Sequence, residues 1–200
     1  MFRAYRSIRA RPRILWNPLP DSATPNAGGR MRVGSRVGSE TARDIGATPV
    51  EFNVVERHET LVAGTVLRSP ALAVEGPRRA KVEEAWKRTI ARDLPGPPAT
   101  AYVDHAPEIG SYLTHIVGYE CKNPDDLLPG DVLARIPGGV FARFIRSGDN
   151  LGDVIVSIWR TVWDLEAAGS LVRAYTGDFE HYPDNRTVEV FVALDQSAEG

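Results

Sequence analysis

The residues best placed to do chemistry are Phe179-Glu180-His181-Tyr182. Side chains alternate along an extended segment, so Glu180 and Tyr182 share one face while Phe179 and His181 share the other. A carboxylate set among aromatics in a covered segment loses its hydration. That costs several kcal/mol unless something compensates. An organic cation supplies the compensation: its charge meets the carboxylate, and its apolar body meets aromatic faces at about 0.5–2 kcal/mol per contact. The plain alternative is a glutamate on an edge strand, left in water or paired with an arginine such as Arg173.

Other aromatic residues could line the same place. Trp86 and Trp159 fall on apolar helical faces and read as core anchors. Trp163 lies four residues after Trp159 on the same side of the helix, within reach of a groove. Tyr112 and Tyr119 occupy one expected strand, and Phe141 and Phe144 another. All four suit either pocket walls or ordinary sheet packing. His58, His105, His115 and His181 show no metal-ligand spacing, and each reads as structural or exposed. No G-x-S-x-G elbow, P-loop or G-x-G-x-x-G occurs. The single cysteine, Cys121, allows no disulfide within the chain and no cysteine-based zinc cluster. No metal or cofactor is expected.

Charge is divided unevenly along the 200 residues. Residues 1–48 hold nine arginines against three acids, Asp21, Glu40 and Asp44. The rest of the chain is therefore strongly acidic, which disfavours phosphate backbones and favours cationic partners. The expected partner is a small organic molecule, cationic and aromatic, with no direct contact to nucleic acid or membrane. The lone cysteine suits a reducing cytoplasm.

The elements that must position these residues can be read from periodicity. Pro12, Pro18, Pro20, Pro25 and Gly28-Gly29 break residues 1–48, which carry no apolar period and are expected to be a disordered, arginine-rich segment. From residue 49 to 200 the pattern is that of one domain. Strands are expected over 51–56 and 61–67, then a helix opening at Pro77 with Val82, Ala85, Trp86 and Ile90 on one face. Strands follow over 99–104, 111–122, 132–136 and 140–145, the last two joined by Pro137-Gly138-Gly139. A second helix over 151–168 carries Ile155, Ile158, Trp159, Val162 and Leu165 on one face. Strands over 178–182 and 187–194 close the chain. The order strand-strand-helix-strand-strand thus occurs twice, and residues echo it. Trp86 precedes Tyr102 by sixteen residues, as Trp159 precedes Tyr175. The expected fold is α+β, with duplicated βαββ units, an antiparallel sheet, two main helices and a central ligand groove between the halves.

This order, Ile136-Pro137-Gly138-Gly139 before a strand, the helix with Trp159 and Trp163, and Phe179-Glu180-His181-Tyr182 together resemble the GyrI-like small-molecule-binding domain, also called the AraC-type effector-binding domain. The resemblance covers roughly residues 50–196. It implies a concave pocket between two halves that binds hydrophobic, often cationic drugs and dyes. It also implies that Glu180 faces the ligand with Tyr182 as the motif's tyrosine; Tyr112, Tyr119, Phe141 and Trp163 follow only by position. Related regulators carry a separate helix-turn-helix domain, for which residues 1–48 are too short and too broken. The implied function is a standalone binder that senses or sequesters its ligand. Two alternatives stand beside it. One is a hydrolase of cyclopropane-bearing alkylating natural products, with Glu180 handling water. The other is an inhibitor-type module that binds another protein.

Overall fold

The computed structural model describes residues 52–70, 76–106 and 112–198. They form eight strands: β1 Asn53–Arg57, β2 Thr60–Pro70, β3 Pro98–Val103, β4 Tyr112–Cys121, β5 Val132–Ile136, β6 Gly139–Ser147, β7 Asp178–His181 and β8 Thr187–Ala193. Two helices interrupt them, α1 Gly76–Ile90 after β2 and α2 Leu151–Ala167 after β6. Asn150 caps α2, its side chain accepting from the Gly152 N–H at 3.1 Å. α1 ends at Ile90, and Pro124–Asp126 forms a short 3-10 turn. The segment 1–48 lies outside the described residues. No helix among them is long and apolar enough to cross a membrane.

All eight strands join one antiparallel sheet in the order β1-β6-β8-β7-β3-β4-β2-β5. The order is symmetric about the β7–β3 junction: β1-β6-β8-β7 on one side mirrors β5-β2-β4-β3 on the other. The first strand of each half crosses over. β1 pairs with β6 of the second half, and β5 returns to pair with β2 of the first. Each half therefore completes the outer edge of the other, and β3 and β7 meet at the centre.

Both helices cover the same face. Trp86 and Ala85 of α1 share a core with Ile158, Trp159 and Val162 of α2, Phe144 of β6, and Val188, Val190 and Val192 of β8. Arg79 of α1 reaches Asp153 of α2 at 3.5 Å. The opposite face carries a second core of Val62, Ile116, Ile136, Phe141, Phe179 and Phe191. The sheet curls enough that β3 and β5, which are not neighbours in the ladder, still touch. A third, smaller cluster gathers Leu61, Ala63, Tyr119 and Cys121 under Leu94, Leu127 and Leu128.

Candidate functional site

The central strand pair builds the site. β3 and β7 run antiparallel with Thr100 opposite Glu180 and Tyr102 opposite Asp178. The alternation of β3 turns Thr100 and Tyr102 to the helix face, and that of β7 turns Asp178 and Glu180 the same way. α2 then lowers Trp159 onto them. The Glu180 side chain ends up 1% exposed in the middle of the sheet.

Its carboxylate accepts four hydrogen bonds. The Tyr102 O–H and the Trp159 indole N–H both donate to Oε1 at 2.7 Å. The Thr100 hydroxyl donates to Oε2 at 2.7 Å, and the Tyr182 O–H donates to the same oxygen. Burial, reinforced by the neighbouring Glu180 charge, raises both phenols well above the ordinary tyrosine pKa. Rings close around the group. Trp86 of α1 meets Tyr182 edge-on at 5.1 Å between centroids, and Tyr102 meets Trp159 edge-on at 4.9 Å. His115 of β4 stacks on Tyr102 at 4.5 Å. Burial pushes the His115 pKa down to about 4, the Glu180 charge acting the other way.

No cation reaches this carboxylate among the described residues. Arg173, the partner considered from sequence, is drawn elsewhere: Nη2 donates to Asp178 Oδ2 at 2.5 Å and Nη1 lies 3.4 Å from Glu166 Oε2. Its guanidinium lies over the Tyr175 ring at 4.3 Å and the Trp159 ring at 5.9 Å. Asp178 also accepts from the Ala193 N–H at 2.8 Å, and His105 Nε2 is 3.8 Å from it. The arginine thus packs against Trp159 while its charge is met by two other acids.

Among the residues expected from sequence, Glu180 and Tyr182 are brought together, the Tyr182 O–H donating to the carboxylate. Trp163 packs beside Trp159 at 6.4 Å, one ring removed from the carboxylate. Tyr119 is brought elsewhere: it sits in the small third cluster, where its O–H donates to the Asp126 carbonyl and accepts from the Leu128 N–H. Phe141 lies on the face away from the helices, edge-on to Phe179 at 5.8 Å. Tyr112 opens β4, and its side chain lies outside the described residues. Sequence reasoning missed Thr100, Tyr102 and His115 as site residues, and gave Trp159 only a packing role. The alternation of Thr100 and Tyr102 was visible, but no local signal announces that β3 pairs with β7.

With this geometry in hand, the comparisons converge. The family model described as Cass2, integron-associated effector binding protein, matches residues 53–194. YobU of Bacillus subtilis (strain 168), named as a candidate transcriptional regulator, is 26% identical over 100 residues, 46% of this chain and 61% of the relative. The chain thus spans under two thirds of the length of that curated relative. An integron cassette protein from the mobile metagenome of Vibrio cholerae superposes with a TM-score of 0.63 at 24% identity, covering 72% of this chain and 95% of that one. SAV2435, solved bound to tetraphenylphosphonium, superposes with a TM-score of 0.54 at 10% identity, covering 74% and 95%.

Proposed function

Because the chain belongs to the integron-associated effector-binding protein family, whose members bind small molecules, we propose that its effector is a lipophilic, aromatic organic cation held against Glu180. The observation that carries this reading is a buried carboxylate whose partners are all neutral donors. Such donors replace lost hydration but leave the charge unneutralised, and in a low-dielectric interior an incoming cation gains more than it would in water. The rings of Trp86, Tyr102, Trp159 and Tyr182 supply apolar and π faces for the body of the ligand.

The hydrogen bonds also select the kind of cation. An ionised carboxylate offers about four lone-pair sites. Here each oxygen already accepts two hydrogen bonds. A primary ammonium would have to displace one of those donors, whereas a quaternary ammonium, a phosphonium or a delocalised dye needs no N–H···O bond and interacts through charge and faces alone. The tetraphenylphosphonium of SAV2435 is a cation of this kind and supports the reading. The hydrolase alternative asks Glu180 to take a proton from water, a role for which its oxygens have no free site in this arrangement.

The test compares ligands of one shape and different charge. Tryptophan fluorescence should report micromolar binding of tetraphenylphosphonium, and at least roughly tenfold weaker binding of neutral triphenylphosphine oxide. Equal affinity for the two would remove charge from the account.

A further inference from the structure

Buried polar side chains in folded proteins are nearly always hydrogen-bonded, so an unpartnered one calls for an explanation. Among the described residues, unpartnered buried side-chain nitrogens occur on His105, His115, Arg143, Arg173 and His181. Four of these side chains face an acid. Arg143 contacts Glu189 at 2.6 Å, Arg173 contacts Asp178 and Glu166, His181 lies 3.1 Å from Glu120, and His105 lies 3.8 Å from Asp178. His115 Nε2 has no ion-pair partner and no hydrogen bond, although the residue is only 5% exposed.

Its position is informative. His115 pairs with Tyr102 across the β3–β4 ladder and with Leu67 across the β2–β4 ladder. Its ring stacks on Tyr102, whose hydroxyl is bound to Glu180. The imidazole therefore belongs to the wall of the same aromatic enclosure, where the Glu180 charge acts on it. An unsatisfied buried nitrogen burdens the fold, and an apolar residue of similar shape would do at least as well there. We infer that His115 is a specificity residue of this site, its Nε2 reading a neutral hydrogen-bonding group, such as a hydroxyl or carboxamide, on the same ligand that carries the positive charge. The inference rests on the cation-binding reading above. A neutral imidazole suits the task, since it adds a directional polar contact without repelling the cation. A neutral ring nitrogen either donates or accepts, and a hydroxyl or carboxamide can answer both.

Two probes isolate the effect: a triphenylphosphonium whose alkyl arm ends in a carboxamide, and the same cation with the arm ending in an isopropyl group. Titrated against the full chain, the carboxamide probe should bind about five- to tenfold more tightly, the scale of one well-placed hydrogen bond. In His115→Phe that ratio should fall to near one, while His115→Gln, which keeps a hydrogen-bonding side chain, should retain part of it. In Glu180→Gln both probes should weaken together with the ratio kept. A wild-type protein with no preference, as expected if water satisfies Nε2, would overturn the assignment. So would a preference that survives in His115→Phe. Unchanged affinity of both probes in Glu180→Gln would instead sink the cation-binding reading and leave the ratio to be judged by itself.

Discussion

Four neutral donors around one carboxylate make each of them separately testable. Tyr102→Phe removes one hydrogen bond to a charged acceptor, which should cost about 1.5–3 kcal/mol of stability in urea unfolding. It should also free a lone pair, so primary alkylammonium ligands should gain on their quaternary counterparts. An unchanged amine-to-quaternary ratio would count against donor saturation as the source of selectivity. His115 contributes a pH signature. Its folded pKa of about 4 lies below the ordinary histidine value of 6.5, so the unfolded chain binds the proton more readily. Stability should therefore be lost as pH falls from about 6.5 to about 4, by roughly 3 kcal/mol for this group, and level off below. His105 is shifted the same way by burial and adds to the slope. Urea melts across that range should be visibly flatter in His115→Phe, and an equally steep variant would contradict the assignment. At this scale the sequence showed the acid and its neighbour, Glu180 and Tyr182, because both stand in one short motif. Tyr102, Thr100 and Trp159 stayed hidden because they reach the acid across a strand pairing and a helix packing that leave no mark on local spacing.

The elements were more legible than the contacts between them. Period-two and period-3.6 patterns located all eight strands and both helices, because each element buries one face and its residues repeat accordingly. The echo between the halves was only half real. Trp86 and Trp159 are both buried helix residues whose rings reach the Glu180 enclosure. Tyr102 lies in β3, but Tyr175 stands before β7 in a left-handed conformation with φ 56°, its ring under Arg173. The two tyrosines are not equivalent, and sixteen-residue spacing misled because the connection before β7 follows a different path. One close approach of strands is also invisible in composition. Gly64 and Gly118 face each other across β2 and β4, and a Cβ at Gly118 would lie 1.8 Å from the Ala63 carbonyl oxygen. That atom is backbone and cannot step aside, so Gly118→Ala should destabilise the protein by at least about 1–3 kcal/mol, read as a lowered denaturation midpoint.

The described residues form two halves that each lend a strand to the other. β1 is the outermost strand on the β6 side, and Val54 stands 62% exposed there. Val132 of β5 is likewise exposed at the opposite edge. Removing residues through Arg57 should therefore injure the second half, not the first: hydrogen exchange should quicken in β6 before β2. Faster exchange in β2 would contradict the exchanged-strand topology. The doubling was readable from element order, but not the crossing-over, since a five-residue strand carries no sign of which neighbour it will choose. The consequence for function is that the two halves meet at β3 and β7, and the buried carboxylate stands at that junction. The most direct test is calorimetric titration of tetraphenylphosphonium into the wild type and Glu180→Gln, a change that keeps the side chain's size and removes its charge. At least a tenfold loss of affinity, about 1.4 kcal/mol, is expected in the variant. A variant that binds as tightly as the wild type would show that the carboxylate is not what holds the cation.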